Sequence, residues 1–155
     1  MARSDNSVAV LLQDLVGSGN INASMVSLGL KKSNFLSEDL PTSAEDLAKV
    51  LEGIGRGQAV SKSASEEMVR LLSLEQFDNG IRAGTPAGLR VAHKTGNYLG
   101  VTHDAGIVYG PSGAYVMVVL SDGANASAVT KDVASIVFDY FAASSAVAAA
   151  TPRAR

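Results

Sequence analysis

The chain has 155 residues, and its 13 Lys and Arg residues against 15 Asp and Glu residues give a formal net charge of −2. So small a charge does not favour binding to nucleic acid or to acidic membranes. The sequence contains no Cys, which excludes a disulfide framework, a thiolate metal site and a cysteine nucleophile. Hydrophobic residues make up 46% of the chain, as expected of a folded domain with a core.

The N-terminal sequence shows no targeting signal. It has one Arg and a short apolar stretch, without the basic region, longer apolar region and small-residue cleavage site of a signal peptide. No apolar run approaches the roughly 20 residues that a membrane-spanning helix needs. The sequence therefore predicts no membrane span and does not assign a compartment.

The first half of the chain has the periodicity of amphipathic helices. Apolar residues recur at intervals of three and four, and glycines end the runs at Gly17, Gly29 and Gly55. Thr42 or Ser43 is the expected N-cap of the third helix. The predicted helices are 7–16, 21–30, 44–54 and 61–72.

The hydrophobic period changes in the second half, where apolar and polar residues alternate as in strands. The predicted strands are 89–93, 104–109 and 114–120. Between the last two, Gly110-Pro111-Ser112-Gly113 is typical of a hairpin turn. A final helix over 129–141 carries an apolar stripe that we expect to pack on the sheet. The stripe consists of Val129, Val133, Ile136, Val137, Tyr140 and Phe141.

Helices followed by a three-stranded antiparallel sheet and one further helix predict an α+β, or mixed α/β, fold. We expect residues 1–148 to belong to the folded domain and residues 149–155 to form a disordered tail.

Two tripeptides carry the chemical information in the sequence. Ser4-Asp5-Asn6 precedes the first helix, and Lys94-Thr95-Gly96 follows the first predicted strand. Taken alone, the first is more often an N-cap and the second an ordinary turn. Together, and in this order, they match two of the three motifs of serine β-lactamases and penicillin-binding proteins.

The chain thus resembles the class A β-lactamase and penicillin-binding-protein superfamily over residues 4–141. The segment 42–48 resembles the start of the helix after the family's Ω-loop, and the segment 81–88 resembles its approach to the Lys-Thr-Gly strand. The resemblance implies a partial β-lactamase/transpeptidase-like fold. It also implies a serine hydrolase that transfers acyl groups from β-lactams or from D-Ala-D-Ala-like amides, without a metal or other cofactor.

The resemblance also implies roles for the motif residues. Ser4 corresponds to the hydroxyl that relays a proton to the leaving nitrogen, and Lys94 to the cation that attracts the substrate carboxylate. Thr95 would hydrogen-bond that carboxylate, and Gly96 would let the substrate approach the strand. The N–H of Asn97 corresponds to an oxyanion donor. Asn6 would bind the substrate's side-chain carbonyl, and Asp5 would be structural.

Two neighbouring positions depart from the family pattern. His93 stands where many class A enzymes have Asp, and Arg82 matches an Arg that pairs with that Asp. Strand alternation directs His93 away from Lys94, so we expect a structural histidine there. We also interpret His103-Asp104 as residues at a strand entry and not as a catalytic dyad.

The nucleophile of the superfamily is absent from these 155 residues. It is the Ser of a Ser-x-x-Lys motif, and no Ser here has Lys three residues later. The Ω-loop Glu of class A enzymes has no match either, since Glu38 stands at a different position. Val10 replaces the Asn that usually contacts that Glu.

We therefore interpret the chain as the C-terminal part of such a domain, inactive alone. Alternatives are a non-catalytic binding module and a half-domain that needs an N-terminal partner fragment. An exposed sheet edge would favour homo-oligomers or such a partner. The family acts outside the cytoplasm, although this sequence shows no export signal.

Overall fold

The computed structural model describes residues 3–98, 100–123 and 125–150, and the side chains of these residues up to position 143. Within these described residues, five α-helices and three strands follow one another, with a short 3-10 turn at Arg82–Gly84 before the first strand. The helices are α1 (Asn6–Val16), α2 (Ser18–Ser27), α3 (Ala44–Gly55), α4 (Lys62–Leu72) and α5 (Ala126–Ala150). The strands are β1 (Arg90–Tyr98), β2 (Val101–Gly110) and β3 (Gly113–Ser121).

Side-chain caps fix where three of the helices begin. The Asp5 carboxylate accepts hydrogen bonds from the N–H groups of Ser7 and Val8 and so starts α1. Ser43 caps α3, one of the two residues predicted for this role, and Ser61 caps α4. Each cap satisfies backbone donors that the first turn of a helix leaves free.

The strands form one antiparallel sheet in the order β1-β2-β3. The predicted hairpin joins β2 to β3, with Gly110 opposite Gly113. β1 is longer than the alternation of apolar residues indicated, because its pairing with β2 continues to Tyr98 opposite Val101. Lys94-Thr95-Gly96 therefore lies within β1 and not after it, which corrects the prediction.

Helices cover both faces of this sheet and bury one apolar cluster on each. On one face α3 packs against β2 and β3 and α4 packs against β1, and on the other α5 packs against β2, β3 and the 3-10 turn. The first cluster contains Leu51, Val69, Leu72, Ala92 and Ile107, and the second contains Ile81, Val91, Val108, Met117 and Ala134.

α5 packs on the sheet as predicted, but the face expected to make the contact is wrong. Ala126, Thr130 and Ala134 face the core, whereas most of the expected apolar stripe is exposed. The reason is close approach: a Cβ at Gly84 would lie 2.6 Å from the Cβ of Ala134, so small residues must face the turn. Val137 does pack on the second cluster. The exposed members are Val129, Val133, Ile136, Tyr140 and Phe141.

α5 also extends beyond the predicted end at position 141 and reaches Ala150. Positions 149 and 150 of the expected tail are therefore helical, and positions 151–155 lie outside the described residues. In the part of the chain that the structure describes, no helix combines the length and hydropathy needed to cross a bilayer.

Candidate active site

A cleft of about 230 Å³ lies between the start of α1 and the end of β1. Residues about 90 positions apart in the sequence converge there, because the turn before α1 faces the half of β1 that carries the second tripeptide. The lining residues are Ser4, Asn6, Phe77, Asn79, Thr95, Gly96, Asn97 and Thr102. Five of the seven residues singled out from the sequence thus share one cleft.

The turn before α1 brings Ser4 and Asn6 to the cleft, and the residue between them stabilises the turn. Asp5 is occupied by its backbone hydrogen bonds, and its neighbours Ser4 and Asn6 line the cleft. Ser4 has a φ of 51°, in the left-handed region that non-glycine residues seldom adopt. Strain of this kind is common at functional sites, where surrounding contacts over-determine the backbone.

Lys94 is not among the residues that line the cleft, although its neighbour Thr95 is. Its ammonium donates to Glu75 Oε2 at 2.5 Å and to the Thr95 carbonyl at 2.8 Å, and it lies 3.5 Å from Thr95 Oγ1. The Lys94 side chain is 29% exposed. The cation therefore lies beside Thr95 and is paired with a carboxylate.

Glu75 is the residue that the sequence analysis missed. Its side chain is fully buried in the loop after α4, and Oε1 accepts hydrogen bonds from the N–H groups of Gln76 at 3.0 Å and Phe77 at 3.4 Å. A carboxylate with these three donors is satisfied despite its burial. Glu75 has no periodic pattern or motif around it, so nothing in the sequence distinguished this buried acid from the acids on the surface.

His93 and Asp104 form a buried pair on the other face of β1. His93 Nδ1 lies 2.9 Å from Asp104 Oδ1, and both residues are at most 2% exposed. As the alternation predicted, His93 points away from Lys94 and is structural. Asp104 pairs across the strands with His93 and not with its sequence neighbour His103, whose Nδ1 accepts the N–H of Ser121 at 3.0 Å.

Three further lining residues, Phe77, Asn79 and Thr102, come from segments in which the sequence showed no motif. Asn97 Nδ2 donates to Thr102 Oγ1 at 3.4 Å, which connects β1 to β2 at the cleft. The cleft therefore offers hydroxyl and amide groups, together with a glycine that leaves β1 accessible. These groups suit a ligand that carries carbonyl and amide functions.

The comparisons with known proteins agree with this fold. The model of the beta-lactamase enzyme family, Beta-lactamase2, matches residues 1–141, and the chain belongs to that family. No curated protein sequence matches the chain significantly.

Solved structures match at low sequence identity and high structural similarity. The structure of PBP-A is 26% identical with a TM-score of 0.83, over 90% of this chain and 57% of PBP-A. A β-lactamase from Sphaerobacter thermophilus DSM 20745 is 26% identical with a TM-score of 0.82, over 90% and 59% of the two chains. A class A β-lactamase from Mycobacterium abscessus, at 24% identity and a TM-score of 0.81 over 92% and 62%, shows the fold alone. The chain thus spans less than two thirds of these relatives.

Proposed function

We propose that this chain supplies the substrate-recognition side of a β-lactamase-like serine hydrolase site, for β-lactams or D-Ala-D-Ala-like amides. The observation that carries the proposal is the single cleft that unites Ser4 and Asn6 with Thr95, Gly96 and Asn97. A related structure supports the ligand class: the L158E mutant of PBP-A, 25% identical with a TM-score of 0.74 over 82% of this chain and 52% of that one, is an acyl-enzyme complex with penicillin G.

Each residue has a chemical role in this proposal. The Asn6 amide binds a carbonyl of the ligand, and the Thr95 hydroxyl binds the ligand's terminal carboxylate or amide. The N–H of Asn97 donates to the carbonyl that is attacked, where such a donor contributes roughly 3 kcal/mol to transition-state stabilisation. Ser4 transfers a proton to the leaving nitrogen. No metal or other cofactor enters the scheme.

In the same proposal the chain binds but does not catalyse acyl transfer alone. Acyl transfer in this superfamily needs the Ser of a Ser-x-x-Lys motif, which the 155 residues do not contain. A partner fragment that carries the motif would complete the site. The exposed apolar residues of α1 and α5 support such a partner, or a second copy of the chain.

Titration of the isotope-labelled chain with benzylpenicillin, followed by NMR, tests the recognition role. We expect the shifted signals to concentrate at Asn6 and residues 95–97. Asn6→Ala should weaken binding at least about fivefold, because it removes one well-placed hydrogen bond. Asn34→Ala, in the exposed loop before α3, is the matched control and should leave binding unchanged. Shifts that map outside the cleft, or an unaffected Asn6→Ala variant, would contradict the proposal.

A further inference from the structure

We propose that Glu75 is a positioning residue that neutralises Lys94 and so removes the preference of the cleft for negatively charged ligands. This inference deepens the proposed function and rests on it. In the Lys-Thr-Gly motif the lysine would otherwise favour anionic ligands. Glu75, a loop residue, would decide whether it does so here.

The first observation is the ion pair itself. Glu75 Oε2 accepts from the Lys94 ammonium at 2.5 Å, and the Glu75 side chain has no exposed surface. Two backbone N–H groups hold the other carboxylate oxygen in place. A charge-assisted hydrogen bond to a carboxylate fixed in this way is among the stronger interactions available to a lysine. Lys94 therefore has its charge balanced inside the protein.

The second observation is the charge of the cleft. The eight lining residues that the structure describes are all uncharged. Three exposed charged residues adjoin lining residues in the sequence: the acids Asp5 and Asp78, and the cation Arg3. A ligand carboxylate beside Thr95 would thus meet a lysine already paired with Glu75, and no cation among the described lining residues compensates for its desolvation.

The paired lysine and the uncharged lining determine which class of ligand the cleft accepts. Hydrogen bonds from the Thr95 hydroxyl and from the amides of Asn6 and Asn97 serve a neutral carbonyl as well as a carboxylate. The cleft should therefore accept peptides or lactams that end in a neutral amide about as readily as those that end in a carboxylate. Loss of the Glu75 charge should release Lys94 to attract anions.

A labelling experiment tests the ion pair without any ligand. Acetic anhydride acylates free lysine amines, and mass spectrometry gives the rate at each lysine. We expect Glu75→Gln to raise the rate at Lys94 about tenfold, the effect of losing roughly 1.4 kcal/mol of protection. Lys49, which is paired with Glu45 and 37% exposed, is the internal control and should not change. An unchanged rate at Lys94 would overturn the proposal.

A binding comparison tests the effect on ligand charge. N-acetyl-D-Ala-D-Ala and its C-terminal amide differ by one negative charge, and NMR titration measures the dissociation constant of each. In the unsubstituted chain we expect the two constants to agree within about threefold. In Glu75→Gln the carboxylate form should bind about tenfold better than the amide. The double variant Glu75→Gln, Lys94→Gln should lose that preference again.

The outcomes separate this inference from the proposed function. A strong carboxylate preference in the unsubstituted chain, or no gain in Glu75→Gln, would overturn the role of Glu75 while leaving recognition by the cleft intact. Failure of Glu75→Gln to bind either peptide would overturn it as well. A purely structural Glu75 would change the melting temperature, which circular dichroism measures, without changing the ratio of the two constants.

Discussion

The buried pair of His93 Nδ1 and Asp104 Oδ1, 2.9 Å apart, connects the strand that carries the lysine motif to its neighbour. Asp104 Oδ2 also accepts the N–H of Ile81 at 2.8 Å, so one carboxylate joins β1, β2 and the turn before β1. The pair fits closely: a Cβ at Gly106 would lie 2.5 Å from the Cβ of His93. The pair thus stabilises the face of β1 that is opposite to the face carrying Lys94.

Removal of the Asp104 carboxylate should therefore destabilise the fold. In Asp104→Ala the buried ring of His93 and the N–H of Ile81 both lose their acceptor, which should lower the free energy of unfolding by roughly 3 kcal/mol. Urea denaturation measures this change. Asp78→Ala is the matched control, since Asp78 is exposed, and should change the same free energy by less than about 0.5 kcal/mol. Equal effects of the two substitutions would refute the structural role of the pair.

The close contact between the 3-10 turn and α5 should make the fold sensitive to a larger side chain at Gly84. A Cβ at Gly84 would collide with the carbonyl oxygen of Lys131 and with Ala134. Gly84→Ala should lower the free energy of unfolding by about 2 kcal/mol, because neither neighbour can move without shifting α5. Gly53→Ala should instead raise it by about 1 kcal/mol, since Gly53 lies within α3 and has nothing within 4 Å of its Cβ position. A tolerated Gly84→Ala would mean that α5 lies further from the turn.

Asp46 should make stability depend on pH in the acid range. Burial raises the pKa of its carboxyl, but hydrogen bonds from Lys32, Ser33 and Lys31 outweigh burial and hold the pKa below its ordinary value. A lowered pKa in the folded state contributes stability that is fully present above the unfolded value of about 3.9. The contribution is lost as the pH falls from there through the folded pKa.

The test is urea denaturation of the chain and of Asp46→Asn at pH 6 and pH 3. We expect the variant to be less stable at pH 6 and the difference between the two proteins to shrink at pH 3. A difference that stays constant over this range would show that the ionised form of Asp46 is not what holds the loop before α3.

The exposed apolar faces predict self-association of the isolated chain. Leu15 on α1 is 81% exposed, and Ile136 on α5 is 68% exposed. Clusters of this kind favour contact between copies or with a partner. Light scattering should give a mass that rises with concentration, and Leu15→Glu or Ile136→Glu should lower it. Val60→Glu, in the loop between α3 and α4, is the control for added charge. A monomer at every concentration, with a sharp cooperative melt, would contradict this prediction.

Local patterns predicted the local features of the fold. A few neighbouring residues determine each of three such features: the Gly110–Gly113 turn, the cap at Ser43 and the orientation of His93 away from Lys94. The orientation of α5 did not, because the pattern assigns large apolar residues to the sheet while the close approach of Gly84 requires small ones. Glu75 was also missed, since its contact with Lys94 joins positions 19 residues apart through tertiary packing.

Covalent labelling with a fluorescent penicillin tests the proposed function most directly. The 155-residue chain is incubated alone and with an added segment that carries Ser-x-x-Lys and completes the fold. We predict no label on the chain alone, and a label on the added Ser that is lost when Asn6 and Thr95 are replaced. A stoichiometric label on the isolated chain, or a label on the complex that survives those replacements, would contradict the proposal.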